Sequence, residues 1–384
     1  MHPTNSTNAQ LNNLIGFRQA IHAHALHGYR DAQFELVEAL LSHRRIHSFA
    51  ELSLAPSFQR GWSSAYAAVE AGRQDGRWWR QFCTQQVPTA GVQVLAVDTT
   101  VWSHRRARTL PDLTYEYSPT QGRDVAVVGH LYALLAWVPE REGRWALPVD
   151  MRRVPAAAKA VDVAVQQVQQ LCAARRLDGA APGLLVLVGD GGYGNHHFFG
   201  PMRQLPVAVV ARLRRNRVLY GPPPPYRGRG RRRVHGQRFA FHDPDSWGQP
   251  DVSAHFEDAR WGQVRLQVWH QLHAKQDADT PLSVMRAEVH LERQRPPEPL
   301  WLGYQGAATQ APETVWSWFD HRWAIESHFR FRKQRLHWTR PAFQALDRCE
   351  RWTRLVDMAY WQLYLARDLV TDRPLPWQKP QSRL

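Results

Sequence analysis

The sequence predicts an α/β fold: a mixed sheet with helices on its faces, a helical segment ahead of it and a β-rich insertion within it. Three observations predict this. From residue 92, apolar runs of strand length alternate with helical stretches, in the order three strands, helix, strand, helix, strand. Residues 215–300 break that rhythm with short alternating segments. Residues before about 88 instead carry apolar side chains at mixed three and four spacing, and the chain reads as helical again from Ala311.

Each element has its own signal. "FRQAIHAHALHGYRDAQFELVEALLSH" reads as helical. In "SFAELSLAPSFQRGWSSAYAAVEAG", a short helix, a turn at Pro56 and a second helix opening at Ser63 and Ser64 would make a helix-turn-helix-like unit. The second helix would then read DNA, although many small helical domains share this pattern. "VQVLAVDTTVW" is a buried strand. "VAVVGHLYALLAWVP", the turn "EREGR" and "WALPVDMRRV" form an antiparallel pair. "PAAAKAVDVAVQQVQQLCAARRL" is a helix, "GLLVLVGDGGYGN" a buried strand ending in an acid, "HHFFGPMRQL" a helix and "VAVVARLRRNRVLY" a strand. From Ala311 to about Leu369 the chain is helical with a break at Pro341. The expected divisions are a helical domain at 1–88, core at 89–214 and 301–370, the insertion at 215–300 and a proline-rich tail at 371–384.

The chain carries a formal net charge of +15, almost all of it from arginine. Arginine is the side chain best suited to bidentate phosphate contacts, so nucleic acid is the expected partner ahead of an anionic membrane. Cys83, Cys172 and Cys349 are scattered and form neither a zinc spacing nor a disulfide framework. No signal-peptide pattern opens the chain, and no apolar stretch is long enough to span a bilayer, so a cytoplasmic location is expected.

Candidate chemistry begins with two acids. Asp98 in "VLAVDTT" and Asp190 in "VLVGDGGYGN" each follow a buried apolar run. Neighbouring strand ends would bring both carboxylates into one cleft, where they repel unless a divalent cation bridges them. Each could instead simply cap the turn that follows it. A third acid, Glu326, stands in the basic stretch "HRWAIESHFRFRKQRLH". On one continuous helix, Phe319, Arg322, Glu326 and Lys333 would fall at about 0°, −60°, −20° and −40°, a single narrow stripe. No Ser-His-Asp or Cys-His arrangement is found, and His104, His196 and His197 read as structural or surface residues.

These three parts together resemble bacterial insertion-sequence transposases of the DDE type, in the group with a Tyr-Arg-Glu-Lys signature. Arg322, Glu326 and Lys333 meet the signature spacing, while Phe319 replaces its tyrosine and loses the hydroxyl. "DTT" at Asp98 and "DGGYGN" at Asp190 match the family's first and second aspartates, the latter followed by the aromatic Tyr193. The resemblance implies an RNase H-like core interrupted by a β-rich insertion. It implies that Asp98, Asp190 and Glu326 hold two Mg2+ ions, with Mn2+ a usual substitute, for DNA cleavage and strand transfer. Arg322, Lys333, Phe319 and Tyr193 would contact DNA beside the scissile bond. Independently of the resemblance, the uncompensated arginines of the Arg212–Arg233 segment, namely Arg212, Arg214, Arg215, Arg217, Arg229, Arg231, Arg232 and Arg233, read as a DNA-contacting loop, or else as a solvated proline-rich linker. Trp247, Trp261, Trp269 and Trp301 are candidates for stacking on a base, or else core. The implied partners are double-stranded DNA, as terminal inverted repeats and target, and a second copy of the chain, with the nucleoid as the implied location. A metal-dependent nuclease of the same fold, or a transposase-derived DNA-binding protein that no longer cuts, stays open beside this.

Overall fold

The computed structural model describes residues 5–370, apart from 44, 45, 47, 105, 106, 108, 119–124, 178–182, 227, 229 and 291–296. The expected tail at 371–384 and the candidate Arg229 lie outside the described residues. The chain opens with α1 (Asn5–Ala20), which runs into a π-helical turn, then β1 (Leu26–His27), α2 (Arg30–Ser42), α3 (Trp62–Glu70), β2 (Arg73–Gln74) and α4 (Gly76–Gln85). Next come β3 (Val92–Ser103), β4 (Thr114–Ser118), β5 (Val125–Val138), β6 (Leu147–Arg153), α5 (Ala160–Leu177), β7 (Leu184–Gly189), α6 (His196–Met202) and β8 (Val207–Leu213). The expected insertion supplies β9 (Val218–Tyr220), β10 (Arg238–Ala240), β11 (Val252–Asp258), β12 (Gly262–Ala274) and β13 (Asp277–His290). After β14 (Leu300–Gln305) the chain ends in α7 (Pro312–Asp320), α8 (Trp323–Gln334) and α9 (Leu346–Ala366).

These elements fall into two compact units, Met1–Trp79 with Phe331–Leu384, and Arg80–Arg330. The N-terminal helices therefore do not stand alone up to residue 88. They share a core with the C-terminal helix, because α1 and α2 both pack on α9. Phe17 stacks on Trp361 at 6.3 Å, and Phe49 meets Phe343 and Trp352 edge-on at 5.4 and 5.5 Å. Arg332 is fully buried in this unit, where it pairs with Asp357, donates to the Thr353 carbonyl at 2.9 Å and lies over the Trp338 ring. The segment expected to resemble a helix-turn-helix forms a 3-10 helix at Phe49–Leu54, a turn near Pro56 and then α3, which opens at Trp62.

In the second unit, one mixed sheet runs in the order β10-β9-β12-β13-β14-β8-β7-β3-β5-β4, with β6 beside β5 and β11 beside β12. The pairs β3–β7 and β7–β8 are parallel, and the others are antiparallel. β7, with parallel neighbours on both sides, is nearly all apolar and buried, as a strand covered on both faces must be. Helix α5 packs on β5, with Val163 against Ala133 and Val154. Gln167 anchors the same helix by donating to the carbonyls of Ala133 and Asp150 at 3.3 and 3.0 Å.

The structure departs from the sequence expectations in three places. The insertion is not a separate antiparallel unit: β14 pairs with β8, so its strands extend the core sheet. Strand β4, which the apolar pattern does not reveal, pairs with β5. The helix expected from Ala311 breaks before the acid as well as near Pro341. α7 ends at Asp320 and α8 begins at Trp323, with the backbone N–H groups of His321 and Arg322 reaching back to the carbonyls of Trp318 and Phe319. The single stripe from Phe319 to Lys333 is therefore corrected: Phe319 stands on a different helix from Glu326.

Candidate active site

Asp98 does not end its strand. It lies inside β3, at the point where the parallel partner β7 stops. The β3–β7 register pairs Val97 with Gly189, so one step further Asp98 faces Asp190 across the strand ends. β3 continues to Ser103 because β5 keeps pairing with it. Asp98 accepts the Thr99 backbone N–H at 2.7 Å. Burial pushes its pKa up to about 7, the Asp190 and Glu326 charges push the same way, and Thr99 and Arg322 oppose them.

The loop after β7 is shaped around Asp190. Its Oδ1 accepts the Gly192 N–H at 2.8 Å, and its carbonyl accepts the Tyr193 N–H at 3.1 Å. Asn195 caps α6 by accepting the His197 N–H, and its amide donates back to the Gly192 carbonyl at 2.6 Å. Gly194 has to be glycine, since a Cβ there would lie 2.0 Å from the Arg212 carbonyl oxygen. Beneath the acids, Tyr193 packs edge-on against Phe198 at 5.1 Å, and its hydroxyl has no hydrogen-bond partner among the described residues. Burial, with Asp98 and Asp190 nearby, raises the Tyr193 pKa well above its ordinary value.

Arg322 links the remaining acid to this pair. One of its terminal nitrogens lies 3.7 Å from Asp98 Oδ2, and the other donates to Glu326 Oε1 at 3.0 Å. The Arg322 side chain is 11% exposed and that of Glu326 45%, so the acid looks outward over an almost fully covered cation. The three carboxylates are not all within 4.8 Å of one another, because this guanidinium sits between Asp98 and Glu326. The site thus holds like charges around one cation, an arrangement suited to receiving a further hard cation or a phosphate.

The remaining candidates separate by burial. Phe319 and Tyr193 are each 3% exposed, so neither ring is presented to DNA and that expectation is corrected for both. Lys333 lies seven residues along α8 from Glu326, in the other compact unit, and burial lowers its pKa. Arg212, Arg214, Arg231, Arg232 and Arg233 are exposed. The stem of Arg214 runs beside Gly191, next to Asp190. Arg215 is also exposed but pairs with Glu298. Arg217 is half-buried, and burial together with Arg214 lowers its pKa. Of the tryptophans, Trp269 and Trp301 are buried with Phe239 and Phe241 in the insertion's aromatic core. Trp247 joins that core, and its indole donates to the Ala240 carbonyl. Trp261 is held elsewhere, donating to Asp320 at 2.7 Å. His104 is buried against Trp102 and His130, and that burial lowers its pKa to about 4, so it stays neutral. Sequence reasoning missed Asp258, Asp320 and Arg141, whose carboxylates and guanidinium meet although their residues are far apart in the chain.

Residues 17–274 match the family described as DDE superfamily endonuclease, a region that contains Asp98 and Asp190 and ends before Glu326. No curated protein matches the sequence. The cryo-EM structure of piggyBac transposase synaptic complex with hairpin DNA is similar at 11% identity and a TM-score of 0.45, covering 88% of this chain and 65% of that one. The chain thus spans about two thirds of that structure's length. Kluyveromyces polysporus Argonaute with a guide RNA aligns at 10% identity and a TM-score of 0.24, over 82% of this chain and 34% of that one. The C-terminal lobe of a budding yeast Argonaute aligns at 11% identity and a TM-score of 0.25, over 80% and 56%. Among the described residues, no helix is long and apolar enough to cross a membrane.

Proposed function

From the premise that this chain belongs to the DDE superfamily endonuclease family, we propose that it is a DNA transposase. It binds the terminal inverted repeats of an element, cuts at the ends and joins the 3′ ends to a target. The sheet of Arg80–Arg330 is read as an RNase H-like core with the insertion between its second and third acids. The observation that carries this reading is that Asp98, inside β3, lies level with Asp190 just past the end of β7, with Glu326 joined to Asp98 through Arg322.

The donor set fits a hard divalent cation, since it offers carboxylate oxygens, and burial together with the Asp190 charge raises the Asp98 pKa to about 7, a cost that a bound cation would relieve. Asp98, Asp190 and Glu326 would hold Mg2+, with Mn2+ a substitute. When bound, the metal supplies activation of water or a 3′-hydroxyl and charge stabilisation at the leaving oxygen. The chain's own residues do the rest. Asp98 gives up its proton as the site fills. The Asp190 carboxylate is aimed by the Gly192 N–H. Arg322 exchanges its carboxylate partners for the phosphate beside the scissile bond, as a planar guanidinium can. The exposed Arg231, Arg232 and Arg233 hold the flanking backbone, with Arg232 also lying over Tyr226. Two ends must be brought together, so the working form is a dimer on DNA, and the N-terminal helices recognise the ends.

A second reading, a nuclease without strand transfer, is favoured by the family description itself. The test is incubation with the element's end DNA and Mg2+, comparing the wild type with Glu326→Gln. The transposase reading expects cut and joined products from the wild type alone. Equal cutting by both proteins would sink the three-acid site. Cutting without joining would favour the nuclease. Tight binding with no cutting under any divalent metal would favour a DNA-binding protein that has lost the chemistry.

A further inference from the structure

A second ionic cluster in the Arg80–Arg330 unit lies outside the three acids. Asp258 ends β11 and Asp320 ends α7, and their side chains are only 2% and 3% exposed. Both are joined to Arg141, from the turn between β5 and β6. Arg141 pairs with Asp258 and donates through Nε to Asp320 Oδ2 at 3.1 Å. The other bonds to the two acids come from the insertion and α7. Asp258 Oδ1 accepts the backbone N–H groups of Arg260 and Trp261 at 2.9 and 3.2 Å, and its Oδ2 accepts the Trp316 indole at 3.2 Å. Asp320 Oδ1 accepts the Trp261 indole at 2.7 Å and lies 3.5 Å from Arg260.

A chain of ring contacts leads from this cluster to the acid site. Arg260 lies over both Trp261 and Trp323, whose ring centroids are 5.8 Å apart. Arg322 lies over the Trp323 ring at 5.0 Å, and Arg322 is the residue that touches Asp98 and Glu326. Asp320 is also only two residues from Arg322, across the short turn that separates α7 from α8. Buried carboxylates sharing one arginine add little to stability compared with apolar packing. What they add is direction, because each oxygen has a fixed donor.

We propose that Arg141, Asp258, Trp261 and Asp320 form a positioning clamp that holds Arg322 and the first turn of α8. The β11–β12 turn of the insertion is then a working part of the Glu326 site rather than a DNA-facing appendage. The consequence for cutting rests on the proposed acid site, but the clamp can be tested without it.

The experiment is amide hydrogen exchange on the full chain, comparing the wild type with Arg141→Met, Arg141→Lys and Trp261→Phe. Trp261→Phe keeps an aromatic ring but loses the pyrrole half of the indole with its N–H, and it leaves every charge in the cluster in place, so it disturbs the unit less than loss of Arg141. Loss of a bond to a buried carboxylate should speed exchange over residues 321–330 by roughly tenfold, with the rest of the sheet unchanged. Arg141→Lys should recover part of that protection. On DNA, the same variants should bind within about twofold of wild type but turn over roughly tenfold more slowly, the signature of misplacement rather than lost contact. Exchange at 321–330 no faster than wild type in both Arg141→Met and Trp261→Phe would overturn the clamp, and so would acceleration spread evenly through the unit. If the wild type and Glu326→Gln cut equally, the acid-site reading fails, while the exchange data still decide the clamp.

Discussion

Replacing Asp98 with asparagine should make the protein more stable while ending its chemistry. The folded-state pKa of Asp98 is raised to about 7 from an ordinary 3.8. Between those values the folded protein holds a proton that the unfolded chain has released, so stability falls as pH rises from about 4 to about 7 and stays low above that. At 1.36 kcal/mol per unit, the penalty for the ionised carboxylate above pH 7 is about 4 kcal/mol, and at pH 5 it is less than half of that. With its side chain 17% exposed, Asp98 receives little relief from solvent. Asparagine has nearly the same shape, and its oxygen still accepts the Thr99 N–H. The neutral amide is still costly to bury at the same place, so a gain of about 2 kcal/mol is the working expectation. That corresponds to roughly 4–8 °C in melting temperature for a unit of this size.

The assay is thermal unfolding at pH 8 and pH 5 in a metal-free buffer, repeated with Mg2+ and with Mn2+. Asp98→Asn should melt higher at pH 8, and the difference should narrow at pH 5. Divalent cations should raise the wild-type melting temperature and leave the variant nearly unmoved, since ligand binding to the folded state stabilises it. An asparagine variant that melts at or below the wild type at pH 8 would refute the cost assigned to ionising Asp98 where it is buried beside Asp190 and Glu326. A gain of equal size at both pH values would refute its electrostatic origin.

The same proton gives a kinetic expectation: Mg2+-dependent cutting should rise with pH through about 7, because the metal competes with a proton on Asp98, and a flat profile from pH 6 to 8 would contradict this. Triple replacement of Arg231, Arg232 and Arg233 by alanine should weaken binding to any DNA and lower the salt slope by about 3, with an unchanged slope counting against their phosphate contacts. Asp357→Ala leaves Arg332 charged and fully buried, so the unit holding it should lose about 3–5 kcal/mol in denaturant unfolding. Arg332→Met with Asp357→Leu should restore most of that loss.

How much of this could be read from the sequence depends on how local each signal was. β7 was legible because a strand with parallel neighbours on both sides shows as an unbroken apolar run, and Asp190 was marked by the glycines that follow it. β4 was not, because "TYEYS" is polar and short and its partner is supplied from elsewhere in the sheet. The neighbourhood of Asp98 and Asp190 was legible as a possibility, but only the β3–β7 register sets them level with one another, near enough for the Asp190 charge to raise the Asp98 pKa. The link from Arg322 to Glu326 was legible as an i, i+4 pair and holds because both ends lie within reach of the first turn of α8. Extending that spacing back to Phe319 failed, because helical arithmetic assumes an unbroken helix and the chain turns between Asp320 and Trp323.

That turn also explains why the clamp was invisible. Asp320 is a strong partner only when Arg141 and Trp261 arrive from distant segments, and no spacing rule connects positions 141, 258, 261 and 320. Had α7 and α8 been one helix, Glu326 would be fixed by its own backbone and the insertion would have no purchase on it. Because α7 stops two residues before Arg322, contacts from outside the helix bear on the angle of the second segment, and the buried cluster at Arg141 in the Arg80–Arg330 unit meets the break through Asp320. The break is therefore where a β-rich insertion can act on a carboxylate whose position its own strands do not set.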